Sequence, residues 1–174
     1  MPDEPFHPVS EKIESLFRDG GFWYERFEHE PVRTSEEAAR VRPEYAQHQG
    51  SKSLIVHVRD IAADPTCNKR FVMIVVPGNK QFDKKKLKHT FGFDDLRFAT
   101  AEEVERITGG VQPGGVPPFG NLFGLPVYVD QSLFANERII FNAGDRRVSI
   151  GVNSADYRTL VRPIVADIAV EKSS

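Results

Sequence analysis

The sequence predicts a single α+β domain built on a mixed sheet with interposed helices. Three observations predict it. Short apolar runs of strand length recur along the chain, such as Leu54-Ile55-Val56 and Val127-Tyr128-Val129. Between them stand two helix starts with capping-box pairs, Thr34 with Glu37 and Thr100 with Glu103. No repeat or linker divides the 174 residues, a length that fits one sizeable core.

Residues 1–9 contain three prolines and are expected to form a mobile arm, with the domain over 10–170. Ser10 is placed to cap a helix over Glu11–Arg18 that stops at Gly20. Phe22–Phe27 is aromatic-rich and reads as a strand. After the loop His29-Glu30-Pro31-Val32, Thr34 opens a short helix through Ala39 or Arg40, and Val41–Gly50 is polar and irregular. Ser53–Arg59 and Arg70–Val76 read as hairpin strands across a loop containing Asp64-Pro65. Gln81-Phe82-Asp83 opens a basic helix over Lys84–His89. Leu96–Ala99 is a short strand, and Thr100 starts a helix through Ile107 that ends at Gly109.

Val127-Tyr128-Val129 is a strand ending at Asp130, which is placed to cap the turn into Gln131-Ser132-Leu133. Arg138–Asn142 and Arg147–Val152 form a hairpin around Ala143-Gly144-Asp145. Asn153 or Ser154 caps a last helix over Ala155–Val161, and Ile164–Val170 closes the chain as a strand.

Composition narrows the function. The chain is 40% hydrophobic and 28% charged, ordinary for a soluble globular protein. A net charge of -2 and a pI of about 6.2 argue against a nucleic-acid coat, and DNA is not an expected partner. Docking on one RNA end remains compatible. Cys67 is the one cysteine, so no intramolecular disulfide forms; it reads as incidental. With five scattered histidines it offers no zinc-ligand spacing, and neither metal nor cofactor is expected. The N-terminus lacks the basic and apolar regions of a signal peptide, and no apolar run reaches membrane-spanning length. A cytoplasmic setting without membrane partners is expected. Gly-x-Ser-x-Gly and Walker-type motifs do not occur, which argues against serine hydrolases and P-loop enzymes.

Two features point to chemistry. Five of the twelve residues from Gly109 to Gly120 are glycine and three are proline. Such a loop is stiff yet exposes N–H groups that can hold a carbonyl oxygen or a phosphate; a plain connector has the same composition. Upstream, Lys52 in Gly50-Ser51-Lys52-Ser53 precedes an apolar strand, where a lysine can reach into a cleft as a fixed charge or a base. The run Lys84, Lys85, Lys86 and Lys88 reads either as a phosphate-contacting patch or as a solvated helix face.

These residues, in this order, resemble the YbaK/ProX family of aminoacyl-tRNA editing domains, related to the insertion domain of bacterial prolyl-tRNA synthetase. The resemblance runs from about Phe22 to Arg162. It rests on His29-Glu30-Pro31-Val32 with Thr34–Ala38, on Lys52 before Leu54-Ile55-Val56, and on Val76-Pro77-Gly78 with Asp83–Leu87. Thr108-Gly109, Gly114–Gly120, Val127–Asp130 and Phe141-Asn142-Ala143-Gly144 complete it.

The resemblance implies a curved or barrel-like, mostly antiparallel sheet. It also implies hydrolysis, in trans, of the ester between a wrong amino acid and the terminal adenosine of a tRNA, that of proline or a related one. Partners would be the tRNA acceptor end and a synthetase. Lys52 falls on the family's activity-linked lysine. Gly114, Gly115, Val116, Pro117, Pro118, Phe119 and Gly120 fall on the loop that lines the carbonyl pocket, with Phe27, His29, Thr34, Ser53 and Ser149 as further substrate contacts. In this reading the N–H groups of Gly114, Gly115 or Val116 receive the developing oxyanion, Lys52 fixes the terminal phosphate or ribose, and a water is the nucleophile.

Phe27, Pro117 and Ser149 differ from the branch that removes cysteine, which has tyrosine, serine and aspartate there. The histidine that the alanine-removing branch carries near Phe141-Asn142 is missing. These departures bear on amino-acid choice. A binding module of the same fold without catalysis, and an esterase acting on small aminoacyl esters, are the competing readings.

Overall fold

A computed structural model describes residues 4–61, 63, 65, 66 and 68–172. Cys67 and Asp64 therefore lie outside the described residues, as do residues 1–3 of the expected arm.

The element order is α1 (Val9–Gly20), β1 (Tyr24–Glu28), α2 (Ser35–Val41), β2 (Ser51–Asp60), β3 (Lys69–Pro77), β4 (Lys80–Phe82), α3 (Lys84–Phe91), β5 (Phe93–Phe98), α4 (Ala101–Thr108), β6 (Val127–Asp130), β7 (Arg138–Asn142), β8 (Val148–Asn153), α5 (Ser154–Val161), β9 (Ile164–Ala166) and β10 (Ala169–Glu171). The strands form a five-stranded sheet in the order β5-β2-β3-β6-β9, a three-stranded sheet β1-β8-β7 and the pair β4-β10. β2 is antiparallel to β3 and β5, whereas β3-β6 and β6-β9 are parallel. The fold is the mixed, mostly antiparallel α+β domain expected, but the described strands do not close into a barrel.

β3 explains why this region reads as an unbroken apolar run. Met73 and Val75 face the main core with Phe17, Phe119, Phe141 and Tyr157. Val72, Ile74 and Val76 face a second core with Leu87, Phe93 and Tyr128. A central strand buried on both faces has no solvent side to fill with polar residues.

Several local expectations change. The His7 side chain, not Ser10, begins α1: its Nδ1 accepts from the N–H of Val9 at 3.1 Å, and its Nε2 donates to the carbonyl of Gly109 at 2.8 Å. Phe6 packs against the core, and Arg147 donates to the carbonyl of Glu4 at 3.0 Å. Residues 4–8 are thus anchored to the body rather than forming a free arm. α1 stops at Gly21, one residue beyond the expected position.

The closing strand is two strands. Asp130 breaks it by accepting from the N–H groups of Ile168 and Ala169 at 2.9 and 3.0 Å. The same carboxylate caps the turn at Ser132 N, as expected. Lys52 is the second residue of β2, paired with Val76, rather than preceding the strand.

Candidate active site

A cleft of about 360 Å³ opens where α2, the start of β2 and the Gly/Pro loop meet. Thr34, Arg42, Ser51, Lys52, Ser53, Gly114, Val116 and Asn142 are among its lining residues. It thereby brings together Lys52, Ser53, Thr34 and two positions of the Gly/Pro loop. Phe27, His29 and Ser149 do not line it, nor do Gly115, Pro117, Pro118, Phe119, Gly120 or the lysines of α3.

α2 shapes one wall. Thr34 caps it, accepting from Glu37 N at 3.1 Å, while the Glu37 carboxylate accepts from Arg33 N at 2.9 Å. The helix ends at Arg42 because Pro43 disfavours helical backbone in the residue before it. β2 forms the floor. Lys52 is half-buried there, and its ammonium makes no ion pair or hydrogen bond among the described residues. Burial, then the charge of Lys172, pulls its pKa below the ordinary lysine value. Lys172 and Glu36 pair at 3.3 Å, and both line the cleft. The hydroxyls of Ser51 and Ser53 are buried without a partner among the described residues.

The Gly/Pro loop divides in two. Gly114 adopts φ +91°, a backbone that side chains disfavour, and its carbonyl accepts from Asn142 Nδ2 at 2.7 Å. The N–H of Gly115 is consumed by the carbonyl of Gln112 at 2.9 Å, which removes it from the expected oxyanion donors. The N–H groups of Gly114 and Val116 take no backbone partner among the described residues. Beyond Val116 the loop is core. Phe119 is fully buried, edge-on to Phe17, Phe141 and Tyr157, and the carbonyl of Pro118 accepts from Tyr157 OH at 2.7 Å. A Cβ at Gly120 would meet Val127 at 2.6 Å, so that glycine serves packing. Pro117, expected to tune substrate choice, is buried away from the cleft.

Phe27 packs edge-on against Tyr45, 6.2 Å between ring centroids. His29 and Ser149 form a layer behind the wall. His29 Nδ1 lies 2.8 Å from the carbonyl of Glu30, so it carries the proton; Nε2 then accepts from Ser149 Oγ at 2.6 Å. Burial lowers the His29 pKa, with the Arg42 charge a further cause, which favours this neutral form. Ser149 Oγ in turn accepts from Arg42 Nη1 at 3.1 Å.

Sequence reasoning missed Arg42 and Asn142. Arg42 lies in a stretch read only as polar, and nothing local marks it as buried. Asn142 lies in Phe141-Asn142-Ala143-Gly144, where nothing local assigns it a role.

α3 lies elsewhere, against the second core through Leu87. Lys84, Lys85 and Lys88 are exposed. Lys86 pairs with Asp167 at 2.8 Å and Lys88 with Asp94 at 3.5 Å. Among the described residues no cluster of three or more His, Cys, Asp or Glu could hold a metal, and no helix is long and apolar enough to cross a membrane.

Residues 29–160 match the family described as the aminoacyl-tRNA editing domain. A proline–tRNA ligase of Sulfurihydrogenibium sp. is 32% identical over 103 residues, 59% of this chain and 16% of the ligase. A proposed Cys-tRNA(Pro)/Cys-tRNA(Cys) deacylase, EbsC, of Enterococcus faecalis is 28% identical over 101 residues, 58% of this chain and 61% of that protein. The chain thus spans about a sixth of the ligase it matches. Among solved structures, a proposed trans-editing enzyme for prolyl tRNA synthetase superposes with a TM-score of 0.77 at 26% identity, covering 97% of this chain and all of that one.

Proposed function

The chain belongs to the aminoacyl-tRNA editing domain family, and from that premise we propose that it hydrolyses mischarged aminoacyl-tRNA, cleaving the ester at the 3′-terminal adenosine within the cleft of Lys52. The observation that carries this reading is that Lys52, Gly114 and Val116 line one cleft, where the N–H groups of Gly114 and Val116 take no backbone partner among the described residues.

Each group has a part that its chemistry suits. The Lys52 ammonium holds the terminal phosphate or ribose and fixes the ester. The N–H groups of Gly114 and Val116 receive the negative charge that builds on the carbonyl oxygen. Asn142 holds Gly114 in the backbone geometry that presents them. The unpartnered hydroxyls of Ser51 and Ser53 offer hydrogen bonds to ribose hydroxyls or to the attacking water. A water, assisted by the vicinal ribose hydroxyl, attacks the ester; the ribose oxygen leaves with a proton and the free amino acid is released. No protein nucleophile is needed.

Such a site corrects errors that a synthetase pocket makes, since one methylene discriminates by only about 1–3 kcal/mol. The tRNA acceptor end is the proposed substrate, and a synthetase the proposed source of the errors. The test is a deacylation screen of the purified chain against a panel of mischarged tRNAs. Hydrolysis of at least one well above the spontaneous rate is expected. Binding of tRNA without turnover across the panel would instead make the chain a non-catalytic module.

A further inference from the structure

We propose that Arg42 reads the amino acid, and that the inner wall of the cleft takes an aminoacyl group whose side chain ends in an oxygen acceptor, a carboxylate above all. This rests on the editing reading and names the substrate class within it.

Arg42 lines the cleft although it is only 5% exposed. Its Nε donates to the carbonyl of Ala38 at 3.2 Å and its Nη1 to Ser149 Oγ at 3.1 Å. Its Nη2 has no protein partner among the described residues, and no carboxylate there pairs with it. Its neighbours cannot supply the missing negative charge. Ser149 gives its proton to neutral His29. Tyr45 donates its own hydroxyl to Glu25 at 2.6 Å and is held protonated, chiefly by burial. Burial pulls the Arg42 pKa down to about 10, which leaves the guanidinium charged at neutral pH.

A buried charge without a counter-charge is costly. It persists where a ligand supplies the partner. The local backbone makes room for it: a Cβ at Gly50 would lie 3.3 Å from Nη2.

The occupant follows from access. A phosphate is broad and hydrated and suits the half-exposed ammonium of Lys52. A guanidinium this deeply set is reached by the tip of a slim side chain. An apolar tip would displace water from Nη2 and leave it unpaired, and a site built around buried polar groups discriminates strongly against ligands that do not satisfy them.

The test uses amide analogues of 3′-aminoacyl-adenosine that cannot be hydrolysed, carrying aspartyl, seryl, alanyl or 2-aminobutyryl groups. Binding is measured by calorimetry on the full chain and on Arg42→Met, with folding of the variant checked by circular dichroism. The wild type should bind the aspartyl analogue at least about tenfold more tightly than the 2-aminobutyryl one, with the seryl analogue between them; in Arg42→Met this preference should disappear. Equal or tighter binding of 2-aminobutyryl by the wild type overturns the proposal, and needs no variant to fold. A preference retained in folded Arg42→Met also overturns it. A 5′-phosphate on the alanyl analogue should strengthen binding equally in both proteins. If Arg42→Met abolishes that gain instead, the anion is the terminal phosphate and the side-chain assignment is wrong. Binding without side-chain preference refutes this inference alone, whereas no binding by any analogue refutes the editing reading with it.

Discussion

On α3, Lys84, Lys85 and Lys88 stand in solvent, and Lys86 and Lys88 are matched with Asp167 and Asp94. In the cleft, Lys52 is half-buried and Arg42 almost wholly so, and neither forms an ion pair among the described residues. The run of four lysines is far more conspicuous in the sequence. Yet solvated, paired charges are electrostatically inexpensive and contribute little, whereas charges withdrawn from water without a partner are retained at a cost. A cation withdrawn from water is thus a stronger candidate for contact with a ligand than a larger number of solvated ones.

The largest effect is expected at Lys52. Lys52→Ala should lower single-turnover deacylation of a cognate mischarged tRNA by about 100-fold, the scale of a misplaced substrate, while thermal unfolding stays close to wild type. An unchanged rate would remove Lys52 from the mechanism. Next in size is Asn142→Ala, which deletes the bond to the Gly114 carbonyl. A lost hydrogen bond of about 1.5 kcal/mol should cost roughly tenfold in rate. Should the rate stay the same, Gly114 would not need that support.

The two classes of lysine should also titrate apart. Burial lowers the Lys52 pKa, whereas the hydrogen bond to Asp167 raises that of Lys86. As pH rises, Lys52 therefore loses its proton first, and the enzyme-dependent rate should fall along with it. Carbon-13 shifts of the lysine Cε atoms check the order; Lys86 titrating before Lys52 would reverse the comparison. The smallest effect belongs to the triple change Lys84→Gln, Lys85→Gln and Lys88→Gln, which should alter tRNA deacylation less than about twofold, as expected of solvated surface charge. A large loss there, with small-ester turnover intact, would restore α3 as a tRNA contact.

Much of the fold was legible because its signals are local. Thr34 and Thr100 cap α2 and α4 as their sequence spacing predicts, Asp83 begins α3, and the apolar runs became β2, β3 and β6. The misses arose where distant residues decide the structure. His7 begins α1 while its other ring nitrogen reaches Gly109. Asp130 splits β9 from β10 across nearly forty residues of chain, a coupling that no window reveals.

The cleft was half legible. Lys52 and Gly114 stood out as a cation beside a strand and a glycine in a stiff loop. Glycine and proline mark a loop without saying which of its residues turn inward, so the sequence places Pro117–Gly120 at the pocket, whereas the structure buries them, with Phe119 in the main core. Arg42 was invisible for the converse reason. Its side chain bonds Ser149, more than a hundred residues away, and lies beside Gly50.

The most direct test of the central claim is where a substrate mimic binds. Amide NMR spectra recorded while a non-hydrolysable 3′-aminoacyl-adenosine analogue is titrated in would locate it. The largest shifts are expected at Lys52, Ser53, Gly114 and Val116, and none along Lys84–Phe91; shifts confined to Lys84–Phe91, with the cleft unmoved, would contradict binding in the cleft.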